Sequence, residues 1–337
     1  MPKLAGTRSL ARHSPEVGGQ GDMFADQIGF LLVPQFSMMA FTATIEPLRA
    51  ANRLSGHQLY AWHLFSPDGG PVEASNGIAV MPEGGLEVGI RLQTLIVCAG
   101  LDPHQYAERR VSAWLRRHAS GGTRIGAVST GPYLLARAGL LDGYRCTIHW
   151  ENIPGFREEF PDLEISSELF EIDRNRFTCS GGTAALDMML TMVAMQHGFD
   201  LARAVSESFM HSEIRDAHDP QRMGLRARLG ISHPKLLDVL GLMEEHVEDP
   251  LAIEDLANRV SLSKRQLERL FRKYLNHSPK AYYLELRLHR ARLLLTQTSM
   301  SILSVAVACG FVSASHFAKC YRQYYGLRPR EDRAARR

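Results

Sequence analysis

The sequence predicts an α/β unit built on a parallel sheet, followed by an all-α unit with two helix-turn-helix motifs. Three observations predict it. Over residues 27–200, short apolar runs alternate with helical stretches, the pattern of a parallel sheet covered on both faces. From Pro234 to about Leu327, only helical periodicity remains. Within that second part the chain repeats itself. "LANRVSLS" (256–263) matches "VAVACGFV" (305–312) at an offset of 49, and "LERLFRKYLNHSPK" (267–280) matches "FAKCYRQYYGLRPR" (317–330) at an offset of 50.

Taken in order, residues 1–25 are basic in part but hold no apolar core like that of a signal peptide, and are read as a flexible tail. "QIGFLLV" (27–33) is a buried strand, and residues 38–56 form a helix ending at Gly56. Further strands are expected at 59–66, 78–82 and 94–100, an amphipathic helix at 103–120, and a strand at 123–129. A hairpin turns around Asp173-Arg174-Asn175, and an apolar helix covers 183–197. These pieces make one domain over 26–214. Residues 215–233 are charged, contain Pro and Gly and have no clear period, which marks a linker. The helical domain spans 234–330, and 331–337 reads as a basic tail.

Composition narrows the function. Apolar runs such as 28–33 are far too short to span a bilayer. Five cysteines without a CxxC pair suggest a reducing cytoplasm, buried thiols and no metal site. No cofactor motif stands out. Charge is uneven. Residues 233–337 carry 18 Lys and Arg against 11 Asp and Glu, while the rest carries 21 against 25. A basic third on an acidic body fits a nucleic-acid-binding module joined to another domain.

Each repeat has the mechanics of a helix-turn-helix. In the first, Ile253, Leu256, Ala257 and Val260 form an apolar face, Ser261-Leu262-Ser263 the turn, and Ser263 a cap. Leu267, Leu270, Phe271, Tyr274 and Leu275 follow the helical stripe. In the second, Gly310 takes the turn, Ser313 or Ser315 the cap, and Phe317, Cys320, Tyr321 and Tyr324 face inward. Recognition helices lead with their N-terminal turns. Lys264, Arg265, Arg269, Ser315, His316 and Lys319 are therefore expected at base edges, with Ser313 beside them. Lys273, Lys280, Arg322 and Arg330 are expected at phosphates, and Arg272 on the same DNA-facing surface. Residues 281–295 form a rigid helix that spaces the motifs about 34 Å apart on adjacent grooves.

About 95 residues of this region resemble the DNA-binding domain of the AraC/XylS family of bacterial transcription regulators. Members of that family place an aromatic near position 332, where this chain has Asp332. The first 215 residues resemble the class I glutamine-amidotransferase-like domain of the PfpI type found in the GlxA-like branch of that family. The resemblance rests on residues 29–52, "LIVCAG" (95–100), "IGAVSTGPYLLARAGLLDGYRCTIHW" (125–150) and "TCSGGTAALDMML" (178–190). It implies an amidotransferase-like sandwich with an elbow between strand and helix, in which enzymes carry a cysteine. Position 129 is Ser. A serine needs a base within hydrogen-bond reach and a group to orient it. His149 is the candidate base, and Glu46 approaches the elbow in relatives. Yet the stretch is AxSxG, and no Ser…Asp…His order is apparent.

The expected site is therefore a non-catalytic pocket. Ser129, Thr130 and Gly131 open a helix whose N–H groups favour an anion. Glu46 faces a cationic part of the ligand, Trp150 covers it, and His149 lines it. Relatives sense small nitrogenous metabolites such as arginine, glycine betaine, dimethylglycine or carnitine. The resemblance thus implies a cytoplasmic, ligand-responsive activator of a catabolic operon, acting as a homodimer on paired half-sites with RNA polymerase. Two alternatives remain open from the sequence: a Ser-dependent hydrolase or lyase fused to a DNA-binding domain, and a constitutive DNA-binding dimer without ligand.

Overall fold

The computed structural model describes residues 25–334 except 104, 105 and 107. The tail expected over 1–25 lies, apart from Ala25, outside the described residues. The first strand, β1 (Asp26–Leu32), alternates its side chains between two cores. Phe30 and Leu32 point to one and Leu31 to the other, as the two-residue period of a strand dictates. Helix α1 (Met38–Ser55) is capped by the Ser37 hydroxyl and stops at Gly56, whose φ of 72° suits glycine. β2 (Tyr60–Phe65) follows. A small hairpin of β3 (Val72–Glu73) and β4 (Ala79–Val80) takes the place of the longer strand expected at 78–82.

β5 (Thr94–Cys98), α2 (Arg109–Ser120) and β6 (Arg124–Val128) complete the centre of the sheet. α3 (Pro132–Arg137), with Pro at its first turn, is only six residues long. Then come β7 (Arg145–Cys146), α4 (Ile153–Glu159), β8 (Glu164–Ile165), β9 (Phe170–Asp173) and β10 (Arg176–Cys179). β9 and β10 form the expected antiparallel hairpin, with Arg174 at φ 57° in its turn. α5 (Ala184–His197) and α6 (Phe199–Ser208) close the domain. The sheet order is β2-β1-β5-β6-β10-β9, parallel except for β9. One core lies under α1, α5 and α6, the other under α2, α3 and α4.

The segment expected as a linker is strapped down. Asp187 of α5, fully buried, accepts from the His211 ring, the Arg215 amide and the Arg215 guanidinium. The Gln221 side chain donates to Thr147 Oγ1 and to the carbonyls of Ile148 and Glu168. α7 (Leu225–Leu229) then leads to α8 (Pro234–Glu245). The helical part continues as α9 (Ile253–Arg259), α10 (Lys264–Leu275), α11 (Pro279–Gln297), α12 (Ile302–Ala308), α13 (Ala314–Tyr325) and α14 (Pro329–Ala334). It has two cores, one among α8, α9 and α10, the other among α11, α12 and α13.

Two expectations need correction. Residues 331–334, read as the start of a basic tail, belong to α14, because Asp332 is buried there. Its carboxylate accepts from the Tyr321 hydroxyl at 2.7 Å and pairs with Arg292 at 2.9 Å. A polar clamp thus stands where relatives are expected to have an aromatic. Tyr274 and Tyr324, assigned to inward stripes, are 38% and 41% exposed. Each sits in the last turn of its helix, where the core ends. The Tyr274 ring meets the His233 ring at 5.7 Å, and the Tyr324 hydroxyl bonds His289.

Candidate nucleic-acid interface and elbow site

The two helix-turn-helix motifs repeat in hydrogen bonds as well as in letters. Leu262 N donates to Ala257 O at 2.9 Å, and Phe311 N donates to Ala306 O at 2.9 Å. The turns pass through the left-handed region at Ser261 (φ 54°) and Gly310 (φ 71°). Ser263 caps α10 with a full capping box to Gln266. Ser313, not Ser315, caps α13 by accepting from His316 N at 3.2 Å. Buried Leu267 and Phe271 anchor α10, and Phe317 and Tyr321 anchor α13. Both helices therefore hold their outer faces on rigid seats.

Lys264, Arg265, Arg269, Arg272, Lys273, Ser313, Ser315, His316, Lys319 and Arg322 are all exposed, as are Lys280 and Arg330. Two carry intramolecular duties. Ser313 spends its oxygen on the cap, and Lys264 pairs with Glu254 of α9 at 2.7 Å. Between the motifs runs α11, 19 residues long and so about 28 Å from end to end.

At the other end of the chain, the elbow has the strained backbone its sequence predicts. Ser129 has a φ of 60°, which is rare for a residue with a Cβ. Its N–H donates to Cys179 O and its carbonyl accepts from His149 N. The glycines around it are obligatory. A Cβ at Gly181 would lie 2.8 Å from Ser129 Cα, and one at Gly131 would lie 2.5 Å from Val97 O.

The other expected pocket residues are engaged differently. Thr130 is buried and donates its hydroxyl to Gly100 O at 2.7 Å. Glu46 pairs with Arg49 one turn along α1 at 2.7 Å, with both side chains nearly half exposed. The His149 ring is half-buried, 3.8 Å from Glu151, and burial pulls its pKa below the ordinary value against the opposing charge of Glu151. Trp150 does not wait for a ligand cation: the Arg222 guanidinium lies 4.3 Å from its ring centroid. The short α3 also weakens the helix-dipole argument, since a macrodipole needs several aligned turns. Cys98, Cys146, Cys179 and Cys309 are buried and free. Burial pushes the Cys146, Cys179 and Cys309 thiols up to about 12, which keeps them unreactive.

Sequence reasoning missed Asp187, Gln221, Arg222 and Arg290. Asp187 had a signal, a single carboxylate in an otherwise apolar helix. Arg222 sat in a segment whose charges read as solvated, and Arg290 on a helix read as a spacer.

A parallel-sheet domain with a serine elbow, joined to a doubled helix-turn-helix with two exposed basic faces, defines a DNA-binding transcription regulator. Comparison with known proteins agrees. Residues 256–335 match a helix-turn-helix domain family, and residues 26–195 match the DJ-1/PfpI family. The chain is 50% identical over 306 residues to the HTH-type transcriptional regulator GbdR of Pseudomonas aeruginosa, covering 91% of this chain and 83% of that protein. It is 44% identical to ArgR of P. aeruginosa (92% and 94% covered) and 41% identical to GlxA of Rhizobium meliloti (90% and 94%). A solved AraC family transcriptional regulator from Pseudomonas putida superposes with a TM-score of 0.50 at 29% identity, covering 54% of this chain and 98% of that one. The chain belongs to the AraC-type HTH transcriptional regulators, in the GlxA-like branch with an N-terminal DJ-1/PfpI domain.

Proposed function

We propose that this regulator is a cytoplasmic homodimeric activator of a catabolic operon, and that its larger domain binds a small nitrogenous carboxylate without reacting with it. The observation that carries this reading is the elbow. Ser129 keeps the strained backbone of a nucleophile elbow but presents a hydroxyl, and among the described residues no side-chain base hydrogen-bonds to it. Burial favours a neutral His149, yet that residue meets the elbow through its backbone. The geometry supports Ser129, Gly131 and His149 as the pocket. Glu46, Thr130 and Trp150 need a rearrangement to join it. Among the described residues, no helix is long and apolar enough to cross a membrane.

The test joins two assays. Mobility shift on promoter DNA, with RNA polymerase transcription in vitro, is measured with and without carnitine, glycine betaine, dimethylglycine and arginine. One of these is expected to change the response of the wild type, and Ser129→Ala is expected to keep the chemical identity of every small molecule unchanged, as the wild type does. Turnover by the wild type that Ser129→Ala abolishes would overturn the reading in favour of an enzyme. Equal DNA response with and without every compound would favour a constitutive dimer.

A further inference from the structure

The two halves of the chain line an open cavity of about 950 Å³. Its walls include the loop after the elbow (Trp150, Glu151), the strap (Arg222) and the spacer helix α11 (Tyr282, Glu285, Arg290), with α4, α7 and α8 contributing as well. Size and position suit a small-molecule site, which commonly forms at a domain interface. The charges inside are unevenly satisfied. Glu244 is taken by Arg228 at 2.6 Å, Arg292 by Asp332, and Glu285 lies 3.8 Å from His277. Glu151 lies 3.8 Å from His149. Two guanidiniums have no such partner. Among the described residues, neither Arg222 nor Arg290 makes an ion pair or a hydrogen bond, and the Arg290 Nε is sealed from solvent.

Arg222 is exposed and Arg290 half-buried with its Nε sealed, so partial burial depresses the pKa of both, and the unpaired Arg290 cation bears the larger cost. Arg222 gains part of its compensation from the face of Trp150. A planar guanidinium with free N–H groups is built to take a carboxylate in two parallel bonds.

We propose that this cavity binds a small organic carboxylate, gripped by Arg290 from the DNA-binding side and by Arg222 from the strap, with its carbon body against Trp150 and Tyr282. Such a ligand touches both halves, so it favours the arrangement in which they are docked. The docking contact itself is tight. α4 packs on the end of α11, and a Cβ at Gly155 would stand 2.9 Å from Thr298 Cγ2. The cavity lining does not include Ser129.

The experiment is calorimetric titration of the full chain with succinate, glutarate, butyrate and inorganic phosphate. At least one carboxylate is expected to bind the wild type. Arg290→Gln and Arg222→Gln should each weaken it about tenfold or more. Gly155→Val, which wedges the halves apart without touching either arginine, should also weaken it. Circular dichroism and DNA binding of each variant confirm the fold. Silence of the wild type toward every carboxylate at millimolar concentration overturns the proposal. So does binding that survives both arginine substitutions, or binding of phosphate alone. Binding lost only in Ser129→Ala moves the ligand to the elbow and also overturns it.

Discussion

Truncating Asp187 to alanine is the sharpest test of the strap. The carboxylate is fully buried in α5 and receives four donors. His211 Nε2 lies at 2.8 Å, Arg215 N at 2.9 Å, Arg215 Nε at 2.9 Å and Arg215 Nη2 at 2.6 Å. In Asp187→Ala the guanidinium keeps only Thr183 Oγ1, at 2.7 Å. Removing one partner of a buried pair costs about 3–5 kcal/mol when the abandoned charge stays buried. The Arg215 side chain is 34% exposed, so water recovers part of its solvation. The expected loss is about 2–4 kcal/mol. Urea unfolding reads it as a lower midpoint at constant slope. Hydrogen exchange at residues 211–215 should quicken beyond the global effect, because the strap loses its anchor. A change within about 0.5 kcal/mol, the range of ordinary surface substitutions, would refute the reasoning.

Three further outcomes follow from the same geometry. Arg269→Ala and Lys319→Ala should each cost about 1–3 kcal/mol on the cognate promoter and relax base preference, whereas Lys273→Ala should lower the salt slope by about one with preference intact; footprinting and salt titration distinguish them, and identical behaviour of all three refutes the division. Ser313→Ala should destabilise the second motif by about 1 kcal/mol in thermal unfolding without altering base preference, since its oxygen is committed to the cap. Burial depresses His149 and His118, so the unfolded chain binds more protons than the folded one below about pH 6.5. Their contribution to stability is full above that value and falls as pH drops toward their folded values. His149→Gln should flatten the loss of stability between about pH 7 and 5, and an unchanged slope counts against the assignment.

Local order was legible wherever one residue type leaves one option. Gly56 ended α1, Arg174 turned the β9–β10 hairpin, and the offsets of 49 and 50 set out two motifs that share matching backbone bonds. The amphipathic stripes gave Leu267, Phe271, Phe317 and Tyr321 correctly, then overreached at Tyr274 and Tyr324, because periodicity carries no information on where a core ends. The elbow was legible as backbone, and less so as a pocket. Whether Trp150 stacks on a ligand or on Arg222, 72 residues later in a segment without period, depends on tertiary packing. Glu46 did carry a local signal, the i,i+3 arginine at position 49. Asp332 could be flagged as a departure, but its partners Tyr321 and Arg292 come from two other helices.

The domain junction limits how strongly any ligand in the cavity acts on DNA binding. A chain of contacts runs from the elbow to the spacer helix: Ser129 O holds His149 N, Tyr133 of α3 packs on Phe156 of α4 at 4.9 Å, and α4 lies on α11. Contiguity alone is not coupling; a ligand must bind one arrangement better than another. In the proposed cavity site, Trp150 and Arg222 stay with the sensor side, so the bonds to Arg290 and the contact with Tyr282 of α11 differ between docked and separated states. A charge-assisted hydrogen bond contributes about 1.5–3 kcal/mol, so each bond to Arg290 biases the docked arrangement about 10- to 150-fold. Driving a population from 1:99 to 99:1 takes about 5.5 kcal/mol. One such bond falls short of that, whereas the two parallel bonds of a bidentate grip, about 3–6 kcal/mol together, bracket it.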